Sequence, residues 1–147
     1  MSKLAWCKAA AVAATAVVPI AVGAAPPALL PNLAVASRKI VSPVEYREAS
    51  TFAASGSAPV DIALKVAGTF EGSMQHIIQV NNASEAPSAS EITVIRDGLL
   101  DDSVRSERWE ISLERRVPGI WEIKEVRRAW RCWRGAERER FVAVRCP

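Results

Sequence analysis

The clearest pattern in the chain is the alternation of apolar and polar residues between positions 104 and 114. Trp109, Ile111 and Leu113 are separated by single charged or polar residues. A two-residue period is typical of a strand that places one face on the core. Residues 104–114 are therefore predicted to form a half-buried β-strand.

Shorter apolar runs predict strands before this one. One run covers residues 76–80, and another, at 92–95, ends at Asp97-Gly98, a pair that favours a turn. The stretch 81–90 between the two runs is rich in turn-forming residues. These segments predict the first part of an antiparallel meander.

A returning strand is predicted after the turn at residues 118–119. Its apolar positions change parity partway along, and one extra residue in a strand produces such a change. We therefore expect a β-bulge near residues 124–125. The apolar positions are Trp121 and Ile123 before the change, and Val126, Trp130 and Cys132 after it.

The ends of the predicted domain are less regular. Residues 60–67 lie between Pro59 and Gly68, which favour helix termini, so a helix is the first prediction and an alternating strand is the alternative. After Gly135, a last strand is predicted at 142–146. The predicted fold class is α+β, with one short helix packed on an antiparallel β-meander of four to five strands across residues 59–147.

The first 24 residues have the pattern of a secretory signal peptide. Lys3 and Lys8 supply the basic start, and Ala9–Ala25 is an uncharged, apolar run with small residues before a cut after Ala24. A spanning helix needs about 20 strongly apolar residues, so cleavage of this signal helix is favoured over its retention as a membrane anchor. Residues 25–58 are rich in Ala, Ser and Pro and are interpreted as a linker or loosely ordered, flexible arm.

Cleavage changes the charge balance. The whole chain has 19 Lys and Arg against 16 Asp and Glu, and the predicted signal carries two of the lysines and no acid, which leaves a formal charge of +1. Net charge alone therefore gives no general polyanion-binding role, and no nucleic-acid partner is expected.

Cys132 and Cys146 are the cysteines that remain after cleavage. In an oxidising compartment such a pair is expected to form a disulfide. The alternatives are a free reactive pair or a two-ligand metal site, but no further thiols or nearby histidine complete a zinc set. No metal and no cofactor is predicted.

Motifs that carry catalysis are missing from the sequence, and the single histidine, His76, lies in a predicted strand. The stretch Asp97–Ser103 favours a turn in which side-chain oxygens accept backbone N–H groups. The alternative is a calcium or polar-ligand loop that uses Asp101 and Asp102, although the spacing differs from that of an EF-hand. A hydrolase-like enzyme that uses this loop is the matching functional alternative.

Arginine and tryptophan interleave between residues 127 and 134. Guanidinium groups and an indole on one surface can hold an anionic partner, and the candidate residues are Arg127, Arg131, Trp133 and Arg134. Trp133 is the predicted exposed tryptophan because Trp130 has the opposite parity. In the alternative interpretation, the tryptophans fill the core and the arginines pair across the sheet with Glu107, Glu110, Glu122 and Glu125.

Part of the chain resembles a group of short bacterial exported proteins. The resemblance covers about the last fifty residues and implies a disulfide-closed β-meander, without implying an activity. This chain departs from the group at Ala136, where a second glycine is common. The residues that carry the resemblance are Asp97–Val104, Arg108-Trp109, Gly119-Ile120-Trp121, Trp130–Gly135 and Cys146.

The leading functional hypothesis is a periplasmic or secreted, non-enzymatic binding module with a Trp- and Arg-rich sheet surface. Its partner is expected to be an anionic envelope component or another protein. Membrane contact is expected only through an uncleaved signal segment. The alternatives are the hydrolase-like enzyme and a purely structural envelope protein.

Overall fold

The computed structural model describes residues 33–46 and 58–147. In these residues the chain forms a five-stranded antiparallel sheet with the strand order β1-β5-β4-β3-β2. The predicted signal helix lies outside the described residues. The elements are β1 (Lys39–Ile40), α1 (Pro59–Ala67), β2 (Met74–Asn81), β3 (Ala89–Asp97), β4 (Val104–Val117), β5 (Ile120–Cys132) and a 3₁₀ turn (Ala136–Arg138).

Strands β2 to β5 form the predicted meander, in which each strand pairs with the next along the chain. The predicted bulge is also present. Ser112 lies opposite Glu125, but the next residue, Leu113, lies opposite Ile123, so Lys124 is the extra residue. The bulge returns Trp121 and Val126 to the same face of the sheet, and both are buried.

Residues 59–67 form a helix, as first predicted. Pro59 occupies the first turn, where its missing N–H costs no hydrogen bond, and Gly68 ends the helix with a positive φ of 74°. The N–H of Gly68 donates to the carbonyl of Leu64 at 3.0 Å. Asp61 in the first turn and Lys65 in the last turn also suit the helix dipole.

The main core lies between α1 and one face of the sheet, which we call the helix face. Ile62 and Ala63 on α1 are fully buried there. Burial of apolar area contributes most of the stability of such a layer. The sheet residues of this core are Ile92, Val94, Trp109, Ile111, Leu113, Trp121 and Val126.

The opposite face, which we call the far face, is also covered. Phe141 is fully buried against Ile95 and Ala129, and Leu33 and Val35 pack beside it. Residues before α1 and residues after β5 therefore meet on this face. The sheet is thus covered by α1 on the helix face and by segments with little regular structure on the far face.

Residues before the predicted boundary at residue 59 also pair with the sheet. β1 pairs with β5, and the N–H of Val41 donates to the carbonyl of Val126 at 2.8 Å. Val41 is buried in the main core. Residues 33–41 therefore belong to the sheet and its core, whereas 25–32 and 47–57 of the predicted arm lie outside the described residues.

The predicted last strand at 142–146 is wrong, and the predicted disulfide is confirmed. Only Val142 pairs with β5, through an isolated bridge to Trp130, because β1 occupies the next part of the same edge. Cys132 and Cys146 are joined, with their Cα atoms 5.6 Å apart. The disulfide thus holds an extended C-terminal segment against the end of β5, and it does not staple a hairpin.

Candidate functional site

Trp133 joins the end of β5 to the loop between β3 and β4. Its backbone N–H donates to the carbonyl of Ser103, and its indole Nε1 donates to the carbonyl of Asp101, both at 3.0 Å. The residue is nevertheless 41% exposed, whereas Trp130 is 6% exposed. The predicted difference between the two tryptophans is confirmed, and Trp133 lies just beyond Cys132, where β5 ends.

Asp101 builds the loop beneath the indole. Its Oδ1 accepts hydrogen bonds from the N–H of Ser103 at 2.9 Å and of Val104 at 2.7 Å, as well as from the Ser103 hydroxyl. The bonds from the two N–H groups hold the pKa of Asp101 at about 2. A carboxylate with so low a pKa is a poor base at neutral pH. The hydrogen bonds that Asp101 accepts within its own loop are those of the predicted turn.

Two arginines that the sequence analysis did not single out reach this loop. The guanidinium of Arg105 lies 5.1 Å from the ring centroid of Trp133, within the range of a cation–π contact. Nη2 of Arg145 donates to Oδ2 of Asp101 at 3.2 Å, and the Arg145 side chain is 68% exposed. The disulfide at Cys146 keeps Arg145 close to the end of β5.

Arg134 and Asp102 lie at the surface beside the disulfide. Both are exposed, and Arg134 has no side-chain partner among residues 33–46 and 58–147. A shallow cavity of about 200 Å³ opens here. Its lining consists of Asp102, Ser103, Cys132, Arg134, Cys146 and Pro147. We call the surface formed by Trp133, Arg105, Arg134 and Arg145 the Trp133 site.

Arg131 lies behind this surface and is 5% exposed. Its Nη2 donates to Oδ1 of Asp97 at 2.8 Å, and its Nε donates to the Ser106 hydroxyl at 3.0 Å. Burial raises the pKa of Asp97, but hydrogen bonds from Ser106 and Arg131 outweigh it and leave the pKa below its ordinary value. Arg131 is therefore committed to a buried ion pair and offers no surface to a partner.

Arg127 is not brought to the Trp133 site. It lies on β5 opposite Ile40 of β1, and its guanidinium pairs with Glu125. The neighbouring Arg128 has a different role, since it stacks on Trp109 and Trp130 at 4.1 and 4.9 Å from their centroids. Most of the predicted arginine run therefore serves the sheet itself.

All four glutamates form ion pairs, but the pair at Glu125 lies within β5 and does not cross the sheet as predicted. Arg128 pairs with Glu107 at 2.6 Å, and Arg116 pairs with Glu122 at 2.7 Å. Glu110 accepts from both Arg38 and Arg108, and Glu125 pairs with Arg127. A structural role in the core and in ion pairs thus accounts for Trp109, Trp121, Trp130 and the arginines beside them. The residues of the Trp133 site are not explained in this way.

The sequence held a signal for only one of the two missed arginines. Arg145 precedes Cys146, so the expected disulfide alone would have placed it near Trp133. Arg105 is the unpaired residue of a second bulge, because Val104 faces Cys132 while Ser106 faces Arg131. The change of apolar parity at that bulge is carried by Val104 alone, and one residue is too short a signal to predict a bulge.

The described residues contain no obvious catalytic centre. His76 lies on β2, where a ring nitrogen is 3.0 Å from the sulfur of Met74. Within residues 33–46 and 58–147, no group of three or more His, Cys, Asp or Glu side chains is placed to hold a metal ion. In the same part of the chain, no helix has the length and apolarity needed to cross a bilayer.

No protein family, curated protein or solved structure matches this chain.

Proposed function

We propose that this protein is a non-enzymatic binding module that acts outside the cytoplasm and holds an anionic partner at the Trp133 site. The observation that carries the proposal is a 41% exposed indole directly followed by an arginine without a partner among the described residues. Large aromatic side chains and arginines are the residues most enriched at binding hot spots. Elsewhere on the sheet, the tryptophans are buried, and the arginines pair with carboxylates or, for Arg115, stack on Trp121.

The charges of the site favour an anion. Arg105, Arg134 and Arg145 supply three guanidinium groups, and the nearby acids are Asp101, Asp102 and Asp97, which pairs with both Arg105 and the buried Arg131. Asp101 pairs with Arg145, and with Arg131 included the four arginines outnumber the three acids by one charge. Positive charge is therefore left over at the surface, although the chain as a whole is close to neutral after the predicted cleavage.

The side chains of the site also suggest the chemistry of the ligand. Arginine presents a planar fork of donors that matches carboxylate and phosphate groups. The indole adds a flat apolar surface that suits a sugar ring or an acyl-chain boundary. The expected ligand is therefore a carboxylate- or phosphate-bearing component of the cell envelope, such as an acidic polysaccharide or an anionic lipid headgroup.

The proposed compartment rests on the leader and on the sulfur chemistry. Residues 1–24 have the three parts of an export signal. The disulfide between Cys132 and Cys146 is compatible with an oxidising compartment, where such bonds persist. We infer export to the periplasm or beyond, followed by removal of the leader after Ala24.

Binding can be tested with two defined probes on protein produced from the full chain in an exporting bacterial host. Polygalacturonate offers carboxylates, phosphatidylglycerol vesicles offer phosphates, and phosphatidylcholine vesicles serve as the neutral control. Arg134→Ala is expected to weaken binding to one anionic probe by about tenfold, which corresponds to one charge-assisted hydrogen bond of about 1.4 kcal/mol. Added salt is also expected to weaken binding of the wild type to the anionic probe, because salt screens charge interactions.

The matched control is Arg116→Ala, which removes the same charge from the end of β4, next to the turn into β5, where the side chain is 71% exposed. This variant is expected to bind like the wild type. Neither arginine packs into the core, so both variants should keep the wild-type melting temperature. Equal losses in the two variants, or binding to neither anionic probe, would overturn the proposed function.

A further inference from the structure

The outer edge of β2 carries unpaired backbone groups. β2 ends the sheet and has no partner on its outer side among residues 33–46 and 58–147. In an antiparallel pair, every second residue bonds to the neighbour and the residues between point outward. The N–H of Asn82 donates to the carbonyl of Ala89 in the register of β2 with β3. By alternation, the outward groups belong to Gln75, Ile77, Gln79 and Asn81.

This edge has none of the usual protections against pairing. Exposed edges are normally short, or carry lysine, proline or a bulge. β2 has eight residues, MQHIIQVN, with no charged residue other than a titratable histidine and no proline. At the opposite side of the sheet, β5 is covered by β1 and by Val142. The exposed apolar side chains of β2 are Met74, Ile77, Ile78 and Val80.

We propose that β2 pairs in antiparallel fashion with β2 of a second copy of this chain, with Ile77 facing Ile77 of that copy. Two identical edges pair in this way around a two-fold axis perpendicular to the sheet, which is the commonest symmetry of homodimers. Such an axis maps each sheet face onto itself, so the residue at the centre must face its own equivalent. The pairing creates one continuous sheet of ten strands with both α1 helices on the same face.

The side chains of β2 complement themselves in this register. Gln75 lies opposite Gln79 of the second copy on the helix face, and Met74 lies opposite Val80 on the far face. Amides therefore meet amides and Met74 meets Val80, whereas His76 lies opposite Ile78 of the second copy. The outward backbone groups of Ile77 and its odd-numbered neighbours also fall opposite one another, as the hydrogen bonds of an antiparallel ladder require.

The near absence of charge on β2 favours a second copy over a charged partner. Two copies of one chain carry the same charges, so a strand that pairs with itself must avoid like charges in opposite positions. An interface made by one strand pair lies at the small end of specific interfaces. We therefore expect a dimer that dissociates on dilution.

Sedimentation equilibrium of the exported protein over a wide concentration range tests the proposal. The wild type is expected to pass from monomer to dimer, and Ile77→Lys is expected to remain monomeric because two ammonium groups would meet at the axis. Val117→Lys is the matched control, since Val117 is a 50% exposed apolar residue at the end of β4, away from β2. The control is expected to dimerise like the wild type.

Cysteine crosslinking tests the register. Under mild oxidation, Ile77→Cys is expected to form a disulfide-linked dimer, because facing Cα atoms in a hydrogen-bonded antiparallel pair are about 5.5 Å apart. Val80→Cys should not, because it would face Met74 and lie far from its own equivalent. A wild type that stays monomeric at every concentration, as when another segment of the same chain covers β2, would overturn the proposal. A dimer that Ile77→Lys leaves intact would also overturn it.

Discussion

Arg96 on β3 donates a 2.6 Å hydrogen bond from Nη1 to the carbonyl of Ala67, the last residue of α1. The same guanidinium also donates to the carbonyls of Gly68 and Thr69, and its side chain is 2% exposed. Carbonyls at the end of a helix lack partners within the helix. A buried arginine from the sheet therefore satisfies the helix end and holds α1 in place.

Replacement of Arg96 is expected to destabilise the fold strongly. Arg96→Met leaves the carbonyls at the end of α1 without this donor, and Glu107 keeps only Arg128. Each buried acceptor left without a donor costs about 1–3 kcal/mol, so the expected total loss is about 3 kcal/mol or more. Urea unfolding measures the change. Arg116→Ala, in an exposed ion pair, is expected to change stability by less than about 1 kcal/mol. Similar costs for both variants would contradict this role of Arg96.

The disulfide is expected to contribute about 3 kcal/mol to the free energy of unfolding. It joins cysteines 14 positions apart, and closure of a loop of about 15 residues restricts the unfolded chain by about that amount. Cys132→Ser with Cys146→Ser should lower the urea midpoint accordingly, and reductant should affect only the wild type. Two titratable thiols in exported, unreduced protein would contradict the disulfide.

Gly98 is expected to tolerate alanine less well than Gly119. Both have a positive φ, of 63° and 82°, which strains any residue with a Cβ atom. A Cβ on Gly98 would also lie 2.1 Å from the Ser73 hydroxyl and 2.9 Å from the Ser73 Cβ, whereas Gly119 has open space. Gly119→Ala should therefore cost about 1–2 kcal/mol, and Gly98→Ala should cost more. Equal melting temperatures would contradict this difference.

Acid is expected to remove the stabilisation provided by Asp101. The folded-state pKa of about 2 lies below the ordinary 3.8, so the contribution is complete above the ordinary value and is lost as the pH falls through about 2. Asp101→Asn removes the charge, so its deficit relative to the wild type should shrink between pH 5 and pH 2. Urea unfolding midpoints of both proteins at pH 5 and pH 2 measure this deficit. A deficit that stays constant with pH would contradict the assigned pKa.

The meander and the bulge could be predicted because each leaves a periodic signal. The alternation around Trp109 and the change of parity in β5 both record which side chains face the core. The two cysteines that remain after the predicted cleavage allow a single pairing. The first two signals lie within short stretches of sequence, and the third follows from the number of cysteines. All three features could therefore be predicted from this sequence alone.

The remaining features depend on contacts between distant segments. Arg131 lies at a position that alternation assigns to solvent, but the far face is covered by Phe141 and residues 33–35. A two-residue strand such as β1 is too short to leave a period. The Trp133 site is likewise assembled from three separate segments, so only Trp133 and Arg134 could be nominated from their local pattern.

The most direct test of anion binding at the Trp133 site is a titration followed through the indole N–H signals in a ¹⁵N–¹H NMR spectrum. Trp133→Phe identifies the signal of Trp133 by its disappearance. During titration with polygalacturonate or short-chain phosphatidylglycerol, the account predicts a shift of the Trp133 signal while the signals of Trp109, Trp121 and Trp130 stay in place. No shift with either probe, or equal shifts of all the indoles, would contradict it.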